Sequence, residues 1–433
     1  MSEKATSIDL LNLRSPAMRA FHLAWLAFFV CFFAWFACAP LMPLIKQEFR
    51  LSADDVAKIN IAAVSITILA RLVIGPMCDR YGPRKVYVVL MIAGMFPMVG
   101  AALSQSYHTF LLCRLAIGAV GASFVITQYH TSIMFAGNVV GMANATTAGW
   151  GNAGAGAAQV AVPLMLAAIL WLGASEASAW RLTLVASGLA MPLVAWLYWR
   201  FGQDCPQGNF AQLRAQGILV GSGKKGGWRS LVAAGRNYRV WMLFVAYAAC
   251  FGVEVFMHNV AAVYYVDHFH LSLEGAGVAA GSFGLLAIVA RPLGGWLSDL
   301  AASWRGLSVR SMLLFVLIAG EGVSLLVFSR ADQAVPAVVA MLLFGLFTHM
   351  ACGAAYALVP FINRDALGGV AGIVGAGGNV GAVAAGFLLK GEGDLHRTLS
   401  TLGVIVCASS ICAVAVRFKA EQTTREPALT TAN

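Results

Sequence analysis

The chain has 433 residues, of which 60% are hydrophobic and only 11% are charged, whereas about a quarter of a soluble domain is charged. This composition excludes an ordinary soluble enzyme or binding domain and indicates a protein of the lipid bilayer. The net charge of +10 does not indicate a nucleic-acid-binding protein, because the basic residues are concentrated between apolar runs, as membrane topology requires.

Apolar runs long enough to cross a bilayer as helices follow one another along the chain. The first run is not expected to be a cleaved signal peptide, because both acidic and basic residues precede it and no small-residue cleavage site follows it. We therefore predict an all-α membrane protein with twelve transmembrane helices, at 20–44, 56–78, 85–104, 109–134, 141–171, 180–201, 239–266, 274–299, 310–329, 335–361, 368–390 and 397–417.

Lysines and arginines are concentrated in the segments that lie on one face of the membrane if successive helices alternate in direction. These segments include the N-terminal stretch, the cluster Arg80, Arg84 and Lys85, and the region 202–236. Cytoplasmic loops of membrane proteins are enriched in lysine and arginine. We therefore expect an integral protein of a bacterial cytoplasmic (inner) membrane with both termini in the cytoplasm.

The chain divides in the middle. Residues 202–236 are rich in Gly, Gln, Lys and Arg, which is typical of a flexible linker. The predicted domains are a six-helix bundle at 1–201, this cytoplasmic linker, a second six-helix bundle at 237–418 and a cytoplasmic tail at 419–433.

Two motif pairs indicate that the second half repeats the first. An arginine followed by glycine four residues later and aspartate eight residues later begins at Arg71 and again at Arg291. A Gly-Asn-x-Gly motif contains Asn152 in the first half and Asn379 in the second, at nearly the same offset. Two independent pairs at nearly one spacing favour an internal duplication over chance.

Arg71 and Arg291 lie deep within their predicted helices. Arg71 is eight residues from Asp79, which places it roughly 12 Å inside the hydrocarbon at a helical rise of about 1.5 Å per residue. A fixed cation there costs about 2.5–3.5 kcal/mol and usually marks a transport pathway. The symmetric pair predicts a central anion site, with the alternative that each arginine braces two helices through a buried carboxylate. Arg114 lies near a polar boundary, so we expect its side chain to snorkel.

The chain resembles the major facilitator superfamily. The segment from Gly75 to Lys85 is similar to that superfamily's signature loop between helices two and three. The glycine-rich stretches 148–159 and 371–381 resemble those of its nitrate/nitrite porter family. The motif Phe251-Gly-Val-Glu254 and Trp150 resemble the proton-symport branch of that family more than the exchange branch. The resemblance implies a major facilitator fold with two pseudo-twofold six-helix bundles around a central cavity.

The resemblance also implies roles for residues near the arginines. Phe124, Tyr247 and Phe251 occupy positions that flank the anion in that family, and Asn152 one that hydrogen-bonds near it. A guanidinium group presents a planar fork of donors that fits a trigonal oxyanion such as nitrate. On the residues alone, ordinary core packing of the aromatic side chains stays open. The predicted substrate-binding residues are Arg71, Arg291, Asn152, Phe124, Tyr247, Phe251 and Asn379.

Glu254 lies on the same helical stripe as Tyr247, Phe251 and His258. An acidic residue inside a membrane helix is a candidate for proton coupling, and the alternative is a carboxylate that only neutralises a nearby arginine. His258 and His349 are secondary proton candidates.

The glycines of helices five and eleven have two interpretations. Small residues allow close helix packing, and the same property permits helices to slide or bend during transport. The predicted gating glycines are Gly149, Gly151, Gly154, Gly375, Gly378 and Gly381.

We therefore expect a monomeric secondary transporter, not an enzyme, that imports nitrate (or nitrite) with protons by alternating access. Moving an anion inward costs about 2.3 kcal/mol per charge per 100 mV, so uptake needs cotransported cations. Nitrate/nitrite antiport is electroneutral and is the alternative. A membrane-embedded haem oxidoreductase is a distant alternative, because His130, His258 and His349 are scattered along the chain. No cofactor, metal or nucleic acid is expected, since nearly all of the nine cysteines fall inside predicted helices as packing residues.

Overall fold

The structure is a computed structural model that describes residues 4–218, 227–271 and 273–418. The centre of the predicted linker, residues 219–226, and the predicted tail at 419–433 lie outside the described residues, and so do the basic residues that they contain.

Twelve helices in the described part of the chain are long and apolar enough to cross a bilayer, which confirms the predicted fold class. We number them as spans 1 to 12. The first bundle contains Pro16–Phe36 with Cys38–Phe49 (span 1), Ala53–Tyr81 (span 2), Pro83–Leu103 (span 3), Tyr107–Ile117, Gly118–Ala122 and Ser123–Met134 (span 4), Val140–Trp171 (span 5) and Glu176–Phe201 (span 6). The second bundle contains Tyr238–Phe269 (span 7), Leu273–Leu285 with Ala287–Arg305 (span 8), Ser308–Phe328 (span 9), Ala334–Ile362 (span 10), Leu367–Glu392 (span 11) and Leu395–Ser409 with Ile411–Val414 (span 12).

Local sequence sets the start of span 2 and the end of span 8. At the start of span 2, the Ser52 hydroxyl accepts a hydrogen bond from the Asp55 amide, and the Asp55 carboxylate accepts one from the Ser52 amide. Span 8 was predicted to end at Asp299 but continues to Arg305 and ends at Gly306, whose φ of 78° favours glycine. The prediction stopped early because the helix continues beyond the apolar run.

Span 4 is not a uniform α-helix. Its two α-helical parts are joined by the 3₁₀ segment Gly118–Ala122. A methyl group at Gly121 would overlap the Trp35 ring of span 1, so glycine allows the two helices to pack this closely. The Gly121 carbonyl accepts hydrogen bonds from Arg71 of span 2. The irregular segment therefore helps to position the predicted anion-binding arginine.

The two bundles meet along spans 2 and 11 and along spans 5 and 8. A methyl group at Gly75 would overlap the Gly368 carbonyl, and one at Gly149 would overlap the Ala287 carbonyl. Glycine at these positions allows the backbones of the two bundles to touch.

The bundles also contact each other near both membrane faces. On the face that carries the linker, the Asp299 carboxylate of the second bundle accepts a hydrogen bond from the Met142 amide of the first (2.7 Å). On the opposite face, Lys390 forms an exposed ion pair with Asp54 (3.2 Å). The two bundles are therefore in contact near both faces of the molecule.

The described part of the linker differs from the flexible coil predicted for 202–236. It contains two short helices, Phe210–Ala215 and Trp228–Gly235. The buried Asp204 carboxylate accepts hydrogen bonds from the amides of Arg84 (2.9 Å) and Phe210 (3.0 Å). Burial raises the pKa of Asp204 above its usual value. Composition predicted flexibility here because it does not show that Asp204 and Phe210 pack against the first bundle.

Candidate anion-binding site

Arg71 is fully buried and is held by backbone carbonyls from both bundles. Its Nε and Nη2 donate to the Gly121 carbonyl at 3.3 and 3.1 Å, and its Nη1 donates to the Gly375 carbonyl of span 11 at 2.5 Å. No carboxylate forms an ion pair with Arg71 among the residues that the structure describes. These bonds use three of the five N–H groups of the guanidinium, so two remain for a ligand.

Arg291 is also fully buried, but its environment differs. Its Nη2 forms an ion pair with Glu254 Oε2 at 2.5 Å. Its Nε and Nη1 have no hydrogen-bond partner in the described structure. The alternative in which a carboxylate pairs with the arginine therefore describes Arg291, whereas in the described structure no carboxylate pairs with Arg71.

One aromatic ring connects the two cations. The Arg71 guanidinium carbon lies 4.9 Å from the Phe251 ring centroid, and that of Arg291 lies 5.5 Å from it. Phe124 and Tyr247 stack on Phe251, with ring centroids 5.7 and 5.1 Å away. The structure thus brings together the predicted arginines and the predicted aromatic residues, with Phe251 between the charges. Such cation–π contacts stabilise a desolvated cation by about 2 kcal/mol.

Several polar groups at this level of the membrane are buried without partners. In the described structure these are Arg291 Nε and Nη1, the Tyr247 hydroxyl, both amide atoms of Asn379, and Asn152 Oδ1. All four residues are fully buried, and Gly378 beside Asn379 packs against Phe251. Each unsatisfied buried group costs about 1–3 kcal/mol. Of these atoms, Arg291 Nε and Nη1, the Tyr247 hydroxyl and Asn379 Nδ2 can donate to an anion, whereas the two amide oxygens only accept. The unpaired donors are what the predicted anion site requires.

Glu254 lies at the centre of a polar cluster. Asn152 Nδ2 donates to its Oε1, and Cys352 Sγ lies 3.4 Å from its Oε2. His349 Nδ1 is 3.4 Å from Oε2, and His258 Nε2 is 3.8 Å from Oε1. His258 and His349 are far apart in the sequence, and spans 7 and 10 bring both rings near this carboxylate, which sequence separation does not show.

The predicted gating glycines lie in two environments. Gly149 faces the Ala287 carbonyl of the other bundle, and Gly375 faces Arg71 and the Tyr356 hydroxyl. Their role in gating stays a prediction. The other four pack within their own bundle, Gly151 and Gly154 against span 1 and Gly378 and Gly381 against span 7.

Sequence reasoning also missed several contacts. The spacing i, i+3, i+7 places His349, Cys352 and Tyr356 on one face of span 10, so this polar stripe could have been predicted from the sequence. The Tyr356 ring packs 4.9 Å from Tyr247. Arg114 does not snorkel: it is 2% exposed, and its Nη1 donates to the Trp35 carbonyl at 2.7 Å. Its distance from the boundary could not show that a carbonyl of span 1 lies within reach.

The charges of the site add up to one net positive charge. Arg71 and Arg291 contribute two positive charges, and Glu254 contributes one negative charge. A buried cluster of this net charge, with aromatic rings and unpaired donors beside it, suits one monovalent anion. Two six-helix bundles around such a site define the class of secondary carriers with a central binding site.

Comparison with known proteins identifies the family. The model of the Major Facilitator Superfamily matches residues 24–386. The chain is 38% identical to the high affinity nitrate transporter 2.5 of Arabidopsis thaliana, over 95% of this chain and 82% of that protein. It is 28% identical to the nitrate/nitrite transporter NrtP of Nostoc punctiforme, over 93% and 92% of the two chains. The chain therefore belongs to the nitrate/nitrite porter family of the major facilitator superfamily.

The solved structures agree on the fold. The proton:xylose symporter XylE aligns with a TM-score of 0.71 over 91% of this chain and 94% of that chain, at 15% identity. At this identity the likeness shows the fold alone. Because the relatives are transporters, they also support the predicted carrier over the membrane-bound oxidoreductase.

Proposed function

We propose that this protein transports nitrate, or nitrite, by alternating access, with the anion bound between Arg71 and Arg291. The observation that carries this proposal is the set of fully buried, unpaired donors beside the two guanidinium groups. Neutral donors without partners would be destabilising in a site built only to brace helices. The names of the relatives supply the substrate: they are nitrate and nitrate/nitrite transporters.

The proposed coupling ion is the proton. Glu254 is a fully buried carboxylate, and Nδ1 of the fully buried His349 lies 3.4 Å from its Oε2. Chains of acidic residues and histidines inside a membrane are typical of proton pathways. Nitrate/nitrite exchange is the other mode that the same fold supports, and it needs no proton site.

The proposed cycle moves the two bundles relative to each other. The glycine contacts of Gly75 and Gly149 hold the bundles together without interlocking side chains. Loss of the Lys390–Asp54 ion pair would open the face opposite the linker, and loss of the Asp299–Met142 contact would open the linker face. From the charge bias, the linker face is cytoplasmic. That the protein is a monomer and lies in a bacterial cytoplasmic membrane stays a prediction from the sequence.

Uptake by proteoliposomes distinguishes the two modes. For symport, an acidic exterior without internal nitrite should stimulate nitrate uptake several-fold over uptake at equal pH. For exchange, internal nitrite should stimulate uptake and the pH gradient should have no effect. Absence of nitrate and nitrite transport in both conditions, with protein correctly inserted, would refute the proposed substrate.

A further inference from the structure

The contacts of His349 indicate that its imidazole ring can share a proton with Glu254. The His349 ring is fully buried, and its Nε2 lies 2.9 Å from the Phe283 carbonyl oxygen. A carbonyl oxygen only accepts hydrogen bonds, so Nε2 must carry a proton. In a neutral imidazole, Nδ1 then has a lone pair and no proton.

That lone pair faces the carboxylate. His349 Nδ1 lies 3.4 Å from Glu254 Oε2 and has no other hydrogen-bond partner in the described structure. Two lone pairs facing each other in a medium of low dielectric constant repel, and one proton placed between them turns the repulsion into a strong hydrogen bond. The Glu254–His349 pair therefore contains a place for one proton.

The same carboxylate oxygen is bound by Arg291 Nη2. An anion that binds at the unpaired Nε and Nη1 of Arg291 shares that arginine's positive charge with Glu254. The carboxylate is then less well neutralised, and a proton on His349 Nδ1 restores its balance.

Resting on the proposed function, we propose that His349 takes up the coupling proton at Nδ1 when nitrate binds Arg291. The proton comes from water on the face that is open when nitrate enters and leaves to water on the other face when nitrate is released. With one proton per nitrate at this pair, the loaded site carries the same net charge as the empty one. Crossing the membrane then does no net electrical work at this site.

His258 does not fit this role equally well. Its Nε2 lies 3.8 Å from Glu254 Oε1, beyond hydrogen-bond distance, and its ring packs against Phe36 and Phe283. It is therefore the matched control: a second buried histidine beside the same carboxylate. Among the described residues, other titratable or charged groups that interact electrostatically with Glu254, with Arg291 or with their neighbours are Arg71, Tyr247, Cys250, Glu321, Cys352 and Tyr356.

The test measures proton uptake when purified protein binds nitrate in a weakly buffered solution with a pH indicator. Wild type and His258→Gln should each take up about one proton per nitrate, and their nitrate Kd should change by up to about tenfold per pH unit over part of the range. His349→Gln should bind nitrate without proton uptake and with a Kd independent of pH. Glu254→Gln, which removes the other half of the pair, should do the same.

Nitrate counterflow, measured with the same pH on both sides of the membrane, distinguishes failure of this inference from failure of the proposed function. Counterflow moves nitrate both ways and needs no net proton transfer, so His349→Gln should retain it while losing uptake driven by a pH gradient. Proton uptake at the wild-type level in both His349→Gln and Glu254→Gln would overturn the inference and leave nitrate transport standing. Absence of nitrate binding and counterflow in wild type would instead refute the proposed function.

Discussion

Replacing Arg71 by lysine tests the anion site while keeping its charge. The guanidinium reaches the Gly121 carbonyl of one bundle and the Gly375 carbonyl of the other at the same time. An ammonium group is a single point donor and cannot span both carbonyls and also present a planar fork to a trigonal anion. The substitution therefore changes the geometry and not the net charge.

The expected loss follows from the bonds that lysine cannot make. A hydrogen bond from a charged donor contributes about 1.5–3 kcal/mol. Losing one carbonyl anchor and one of two bonds to the anion, with partial compensation by the ammonium group, gives about 3 kcal/mol. That corresponds to a rise of roughly a hundredfold in the nitrate Kd.

The assay is nitrate binding to purified protein, followed by uptake in proteoliposomes. Arg114→Lys is the matched control, because Arg114 is equally buried in the first bundle but donates to the Trp35 carbonyl of span 1. We expect its nitrate Kd to stay within about threefold of wild type. If Arg71→Lys bound nitrate as tightly as wild type, or if both variants lost affinity equally, the anion would not be bound by the Arg71 fork.

Three further substitutions test the bundle interface, a second buried acid and the linker. Gly149→Ala places a methyl group against the Ala287 carbonyl of the other bundle, so the transport rate should fall about tenfold or more and the free energy of unfolding by about 1–3 kcal/mol. The control is Gly277→Ala, where a methyl group meets open space and transport should be normal. An equal loss in both variants would contradict the interface role of Gly149. Glu321 is fully buried in span 9 and forms no ion pair in the described structure, and an unpaired buried charge is far more costly than a neutral amide. Glu321→Gln should therefore keep the Tm and nitrate uptake, and a fall in Tm of several degrees would contradict this reasoning. Burial raises the pKa of Asp204, so the folded state binds its proton more tightly than the unfolded state does. Folding is therefore stabilised as the pH falls through the raised pKa, and this gain is complete near the pKa of an unfolded aspartate, about 3.9. The Tm of wild type relative to Asp204→Asn should therefore rise between about pH 7 and pH 4, and a falling difference would show that the hydrogen bonds to Asp204 outweigh its burial.

The spans and the paired arginines could be predicted because their signals are local. An apolar run of sufficient length specifies a membrane helix whatever it packs against, and the twelve predicted helices are all present in the described structure. The duplicated motif placed Arg71 and Arg291 at equivalent depths, and both are fully buried.

The partners of these arginines could not be predicted, because they depend on tertiary contacts. Equivalent positions in a repeat predict equivalent depth but not equivalent neighbours. Glu254 pairs with Arg291 because spans 7 and 8 belong to one bundle. Arg71 instead meets the Gly121 carbonyl, which lies in a 3₁₀ segment that composition does not reveal.

The difference between the two arginines separates binding from coupling. Arg71 is anchored by neutral carbonyls of both bundles, and in the described structure no carboxylate or histidine forms an ion pair with it. Arg291 forms an ion pair with Glu254, which in turn faces His349, so in the proposed mechanism an anion at Arg291 alters a protonation equilibrium. A change at Arg71 should therefore weaken nitrate binding by the same factor at every pH, whereas a change at Arg291 should alter both the affinity and its dependence on pH. The duplication thus supplied two buried cations, and under the proposed mechanism it is the acidic partner, present beside Arg291 and not beside Arg71 in the described structure, that links the anion to a proton.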